Sequence, residues 1–515
     1  MPDKNGAAPG EIENVLTQHD RVAQALVIPW DTPRQADDPR LVAYVVPTPH
    51  TADGGGGGAR ARVEEWQEIY DRVYTASPAV RFGENFSGWN SSYDGRPIDI
   101  DAMRQWRDAT VDRIRRLRPR RVLEIGAGSG LLLSVLAPDC ETYWATDVST
   151  TAIDELSRHI KEDPRLADRV TLRAQAADRV DGLPADYFDT IVINSVTQCF
   201  PSGDYLTTVI NRALSLLVPG GSFFIGDSRD LRSVDYFHTA VALGRTPGTD
   251  AAALTRAVDK SRGRDEELLI HPDYFAAFPS VSPAVAAVDI QLEQGAFHNE
   301  ISRHRFDVVL HKAPADDIID VGDCPRLRWG SDVRDLDHLA GRLSDGALPV
   351  RVSDIPNARL AGEAGACAAL AEGDAVRARR LLAQPMGTDP HDLTRLASEQ
   401  GLHIALVPSP DRPDHFEAVF TSPRPHPLRT ALAGTYRPGA TAASPTLSEV
   451  PAATHRANRF SARLRAWLRE RVPEQSVPAV VITLDALPLR PDGTPDRQAL
   501  PEPDFTDSAA GRSRA

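Results

Sequence analysis

The chain has 515 residues, too many for one ordinary hydrophobic core, so two or three domains are expected. A hydrophobic content of 41% and a charged content of 25% describe a globular protein, while a net charge of -14 argues against a nucleic-acid backbone as partner. The four cysteines stand far apart without a CxxC pair, no apolar run reaches membrane-spanning length and the N-terminus is polar, so no disulfide framework, no metal site, no export and no membrane insertion are expected, which fits a cytoplasmic protein.

Residues 10–48 read as a helix around Glu11–His19 followed by strands at Val22–Pro29 and Leu41–Pro47, a piece too small to support its own core. Thr51–Arg60, with five consecutive glycines at Gly54–Gly58, reads as a flexible linker. Helices are expected at Val63–Tyr74 and Ile100–Leu117, flanking a loop rich in aromatic and polar residues, Phe82–Tyr93. Strands then follow at 121–125, 142–146, 169–173, 188–194 and 221–226, with helices at 129–136, 150–160 and 204–217. That alternation predicts a parallel sheet covered by helices on both faces, an α/β fold. Ala287–Leu292 and His304–His311 read as an antiparallel pair closing the sheet edge. A weaker αβ pattern continues, with helices at Asp332–Leu343 and Ala361–Leu382 and strands at Val350–Ser353, His403–Val407 and Phe416–Phe420. Thr421–His455, rich in Pro, Thr, Ser and Ala, reads as a second linker; a helix at Phe460–Arg471 and a strand at Ala479–Leu484 follow.

The first parallel strand ends in Val122-Leu-Glu-Ile-Gly-Ala-Gly-Ser-Gly130. Glycine lets the backbone approach a ligand closely, and the start of a helix leaves unpaired N–H groups facing it. A dinucleotide pyrophosphate needs G-x-G-x-x-G, but here the glycines are Gly126, Gly128 and Gly130, and Leu131 holds the place of the third dinucleotide glycine. The even spacing after an acid suits a ligand without a pyrophosphate. It resembles the first motif of class I S-adenosylmethionine-dependent methyltransferases. Asp147 ends the second strand, where an acid accepts hydrogen bonds from ribose hydroxyls. The resemblance implies S-adenosyl-L-methionine as cofactor, with Glu124, Gly126, Ala127, Gly128, Gly130, Asp147, Val148, Ala177, Asp178, Asn194 and Ser195 around it, Asp178 facing the adenine amino group. For Glu124 a structural hydrogen bond to the loop is the alternative, and for Asn194 and Ser195 a simple helix cap.

Pro9-Gly10, Glu11–Glu13, Leu16, His19 and Leu41–Val46, together with Leu464–Arg469, Val477–Ala479, Leu487–Gly493 and Asp496–Pro501, resemble the two halves of the C-terminal subdomain of nonribosomal peptide synthetase adenylation domains. Val63 to about Phe420 resembles the N-methyltransferase domain inserted in such subdomains, through Phe82–Tyr93, Gly226–Arg229, Asn299-Glu300, Arg305–Val308 and Ile355–Leu360. The implied layout is 1–50 as the first half of the subdomain, 51–62 as a Gly-rich linker and 63–314 as the Rossmann-like methyltransferase. An accessory αβ region at 315–422, a linker at 423–455, the second half of the subdomain at 456–505 and a disordered tail at 506–515 complete it.

The resemblance implies methylation of the amino group of an aminoacyl or peptidyl thioester on a carrier protein acting in trans. The large adenylation core is not seen in this sequence, and the family's catalytic lysine falls at Thr494, so a free-standing methyltransferase without adenylation activity is expected. A small activator protein docking on the adenylation-like subdomain is the other partner considered. A methyltransferase of a free small molecule or released peptide, and a decayed docking protein, are the alternatives. On the acceptor side, Asp227 and Arg229 face the amine or thioester, or else pair with each other, and His238 and Glu300 are the candidates for taking a proton. Trp89, Asn90, Tyr93, Met103 and Trp106 close over the cofactor or serve as core.

Overall fold

Five apolar runs that alternate with helices become the parallel centre of a seven-stranded sheet. Its strands are β1 (Arg121–Ile125), β2 (Thr142–Asp147), β3 (Val170–Ala174), β4 (Phe188–Asn194), β5 (Leu217–Arg229), β6 (Val285–Leu292) and β7 (Arg305–Lys312). Their spatial order is β3-β2-β1-β4-β5-β7-β6, with β1 to β5 parallel and β7 antiparallel to both its neighbours. Alternate residues feed two cores. Leu123, Ile125, Ile191, Ile193, Phe223 and Ile225 point to one, and Val122, Tyr143, Ala145, Val192 and Phe224 to the other. Burial on both faces is why these strands are nearly all apolar. The order reverses between β1 and β4, which opens a crevice at their C-terminal ends.

The computed structural model describes residues 7–32, 35–48, 57–76, 80–315, 318–422, 431–439, 447–484, 486–490 and 494–503, so the expected tail at 506–515 lies outside the described residues. The chain divides into two compact units, 63–451 and 1–62 with 452–515. In the larger unit the helices α1 (Gly57–Ala76, from Val63 onward), α2 (Ile100–Arg116), α3 (Thr150–Glu162) and α4 (Gly203–Leu216) flank the crevice and sheet. Side chains satisfy the orphan amides at three helix starts. Asp99 accepts from Asp101 and Ala102, Ser149 from Ala152, and Ser202 from Tyr205.

Several elements differ from the sequence reading. The helix expected at 129–136 shrinks to Leu133–Leu136, because Gly130, at φ +80°, lies outside the helical region and delays its start. The expected linker at 51–62 is helical from Gly57, where Ala59–Arg62 supply good helix formers; residues 51–56 lie outside the described residues. The single helix expected over Ala361–Leu382 is two, Ala361–Ala371 and Ala375–Leu382, interrupted at Gly373 with φ +83° and restarted by the Asp374 cap. A helix at Pro390–Glu399 was not anticipated.

The stretch read as a second linker carries two short strands. Ala431–Ala433 pairs with Ile318–Asp320, and Ser448–Glu449 with Leu269–Ile270. The fully buried Arg351 explains the first, since its guanidinium needs acceptors and finds them in Glu417 and in the carbonyls of Gly434 and Thr435. In the smaller unit, the hairpin Val22–Thr32 with Gln35–Pro47 takes Val480–Thr483 as a parallel third strand. Ile12, Leu16, Val27 and Val45 pack there with Leu464, Leu468 and Val481, so residues from both ends of the chain share one core.

Candidate active site

The turn after β1 holds Gly126, Gly128 and Gly130 at φ of +79°, +53° and +80°, conformations that only glycine adopts without strain. Asp147, at the end of β2, ties the turn down. Its Oδ2 accepts from the Gly128 amide at 2.8 Å and its Oδ1 from the Ser149 amide at 2.8 Å. The Val148 amide pulls the same way, and the carboxylate still keeps lone-pair capacity for a ligand. Burial raises the Asp147 carboxyl above its usual range, against the pull of those amides. Glu124 is also buried and accepts from the Tyr143 hydroxyl at 2.9 Å. Burial pushes it up to about 8, the Tyr143 bond opposing and the Asp147 charge adding.

Beside this turn, β4 and β5 end in two residues held in the left-handed region, Ser195 at φ +57° and Asp227 at φ +61°. The Ser195 hydroxyl donates to Asp227 Oδ2 at 2.5 Å, and Arg305 of β7 donates to the same oxygen at 2.5 Å. Asp227 is fully buried, which lifts its carboxyl to about 6 despite the Arg305 charge. Strain of this kind, of order 1 kcal/mol per residue, collects at functional sites.

These strand ends border a cavity of about 400 Å³ lined by Glu124, Gly126, Ala127, Gly128, Asp147, Val148, Ala177, Asn194 and Ser195. Its opposite wall comes from α1, whose Trp66, Tyr70 and Tyr74 stack at successive ring separations of 6.0 and 5.9 Å. The Tyr70 hydroxyl lies 3.6 Å from the Cys199 sulfur, and burial pushes that thiol up to about 12, so it is inert. Trp89, Asn90 and Trp106 also line the cavity, whereas Met103 is core and Tyr93 turns away to donate to Glu363 at 3.0 Å. Two buried acceptors on the cavity wall, Asn194 Oδ1 and Gln198 Oε1, have no partner among the described residues.

A second cavity, of about 370 Å³, is lined in part by Arg229, His238, Ser261 and Asp265, and shares Trp66, Ser92, Glu267, Glu300 and Arg305 with the first. Glu300 accepts from the Ser92 amide at 2.6 Å and from its hydroxyl at 2.8 Å. Arg229 grips both oxygens of Asp265 at 2.8 Å and reaches Glu267 at 2.9 Å. His238 sits between Asp265 at 3.2 Å and the Ser261 hydroxyl at 2.9 Å. Burial works against the Asp265 charge, yet Arg229 and His238 hold its carboxyl well below the usual range.

The structure places several of the expected residues away from the glycine-loop cavity. Asp227 and Arg229 do not pair with each other; Arg305 answers the first, and Asp265 with Glu267 the second. Nor does either line the glycine-loop cavity, since Asp227 lies behind Ser195. Asp178 is turned to the Tyr205 hydroxyl at 3.0 Å and to Arg212 at 3.6 Å, and only its neighbour Ala177 reaches the cavity. Gly130 is a packing glycine, because a Cβ there would stand 2.6 Å from Leu156 and 2.8 Å from Phe82. His238 lines only the second cavity. The residues that sequence reasoning missed are Tyr70, Tyr74, Gln198 and Glu267; for the tyrosines the signal was present in Trp66-x3-Tyr70-x3-Tyr74, one face of a helix.

Residues 123–223 match the family model described as a methyltransferase domain. The chain is 37% identical over 498 residues to the Salinispora arenicola (strain CNS-205) protein named "Probable non-canonical nonribosomal peptide synthetase (NRPS) CymA", covering 96% of this chain and 6% of that protein. Over 524 residues it is 35% identical to chondramide synthase from Chondromyces crocatus, covering 96% of this chain and 13% of the synthase. It therefore spans a small fraction of the length of these relatives. Among solved structures, the N-methyltransferase NodS from Bradyrhizobium japonicum WM9 in complex with S-adenosyl-L-homocysteine aligns with 40% of this chain and 88% of its own, at 18% identity and a TM-score of 0.27. The chain thus carries a methyltransferase domain of Rossmann-like α/β fold, and nearly its whole length is similar to segments of nonribosomal peptide synthetases. No helix among the described residues is long and apolar enough to cross a membrane.

Proposed function

We propose that this chain methylates the amino nitrogen of an aminoacyl or peptidyl thioester held on a carrier protein in nonribosomal peptide biosynthesis. The observation that carries this reading is the alignment of 96% of the chain with segments of peptide synthetases at 37% and 35% identity. A substrate of such a machine arrives on a carrier protein, which is also the partner assigned here.

The residues of the first cavity fit the cofactor. Gly126, Ala127 and Gly128 offer backbone without bulk, Asp147 keeps free lone pairs, and Glu124 with the unpartnered Asn194 Oδ1 suits a cationic ligand. Val148 and Ala177 add apolar wall, and Ser195 fixes Asp227 behind it. Bound there, S-adenosylmethionine supplies an electrophilic methyl group on its sulfonium. The chain contributes position and dryness. The Trp66, Tyr70 and Tyr74 wall keeps water from the crevice, and the second cavity gives the acceptor a route to the shared residues. An α-amino group has a reference pKa of roughly 7.7–8.0, so little help in deprotonation is needed near neutral pH. Glu300 stands where the cavities meet and is the better placed of the two candidates for taking the proton, since His238 faces only the second. Thr494 leaves its loop without the family lysine's fixed positive charge, so adenylation is not part of this reading.

Methyl transfer to an aminoacyl-loaded carrier protein and to the same free amino acid should be compared at equal concentration. Transfer to the carrier-bound form should be faster by about two orders of magnitude, the scale that binding energy remote from the reacting atom supplies. Equal rates would sink the carrier-dependent reading.

A further inference from the structure

The five residues shared by the two cavities are Trp66, Ser92, Glu267, Glu300 and Arg305, and of their two carboxylates only Glu267 keeps an oxygen without a partner among the described residues. Glu300 commits both oxygens to Ser92. The Arg305 charge is met by Asp227, and Arg229 behind the junction is met by Asp265. Glu267 differs. Its Oε2 accepts from Arg229 at 2.9 Å, while its Oε1 has no hydrogen-bond partner among the described residues, on a side chain that is 33% exposed.

A second acceptor stands beside it. The amide of Leu268 donates to the Gln198 carbonyl at 2.8 Å, which sets Gln198 next to the Glu267 backbone. Gln198 is only 4% exposed and lines the first cavity. Its Nε2 donates to the Ser195 carbonyl at 2.8 Å, which fixes the amide's orientation and leaves Oε1 as the buried acceptor without a partner among the described residues. A buried amide oxygen left unpaired is destabilising, so its persistence on a cavity wall points to a donor on a ligand.

We infer that Glu267 and Gln198 receive the acceptor's amino nitrogen, whose N–H groups donate to Glu267 Oε1 and Gln198 Oε1. The inference rests on the amine-methylation reading of this site and names the residues that would select for it. A primary amine, charged or neutral, brings at least two donors to two acceptors. An acylated nitrogen brings one donor and no charge, so one buried acceptor would stay unpaired.

The test is calorimetry on the full chain saturated with S-adenosylhomocysteine, titrated with an aminoacyl-pantetheine amide and with its N-acetyl counterpart. The wild-type protein should prefer the free amine by about tenfold or more, the scale of one charge-assisted hydrogen bond. Glu267→Gln and Gln198→Leu should each erase most of that preference while leaving S-adenosylhomocysteine affinity within about twofold, which shows an intact fold. No preference in the wild-type protein, no binding of either probe, or an unchanged preference in both variants overturns the assignment. The reading beneath it fails separately: a protein that prefers the amine yet never methylates a loaded carrier keeps this subsite and loses the carrier.

Discussion

Glu124 shows how a single side chain couples the site to solution conditions. Burial raises its carboxyl from 4.5 to about 8, so the native state holds a proton that the unfolded chain releases. Its contribution to stability is fully present below about 4.5 and is lost as the pH rises through about 8. Glu124→Gln removes this titration. The difference in thermal midpoint, wild type minus variant, should therefore decline across that window without cofactor and be level outside it. A pH-independent difference would contradict the assignment. Asp147 and Glu124 were legible in the sequence because strand ends and glycine turns are local patterns. Asp178 was misplaced because its direction depends on Tyr205 and Arg212, residues 27 and 34 positions away that no local pattern reports. The Arg305–Asp227 pair was illegible for the same reason, joining two antiparallel strands across the sheet.

At the scale of elements, the glycine turn and α1 belong to one device. A Cβ on Gly128 would stand 2.8 Å from the Tyr74 hydroxyl but 3.8 Å from the ring carbon that carries it. Gly128→Ala should therefore weaken S-adenosylhomocysteine binding, by the strain of φ +53° and by pushing Tyr74 out of the cavity wall. The backbone share is about 1–2 kcal/mol. Tyr74→Phe on that background should restore part of the loss, because the clashing atom is gone, whereas Tyr74→Phe alone should change binding little. Calorimetry on the four proteins of this double-mutant cycle would show it, and strictly additive effects would refute the contact. The strands of the parallel sheet were legible from their apolar runs, and so was the antiparallel edge. Shorter elements were not. The Pro390–Glu399 helix carries an Asp389 cap and a proline in its first turn, a readable start that its weaker surroundings concealed. The segment around Gly434 and Thr435 looked like linker by composition, because what anchors it is the buried Arg351, more than 80 positions earlier.

At the scale of the whole molecule, the larger unit holds the cavities and the glycine turn, while residues from both chain ends build the smaller one. Composition announced more than one domain, but only a family resemblance joined residues 22–47 to 480–483 in advance, since strand pairing over more than 400 positions leaves no periodic trace. The near-complete alignment with synthetase segments takes in both units. The central claim is transfer of a methyl group from S-adenosylmethionine to the amino nitrogen of a carrier-bound acyl group. Tandem mass spectrometry of an aminoacyl-carrier protein, incubated with the chain and methyl-labelled cofactor, tests it most directly. One labelled methyl group is expected on the amino nitrogen, absent when either the chain or the cofactor is omitted. Label on a side chain, a hydroxyl or the carrier itself, or no label at all, would contradict it.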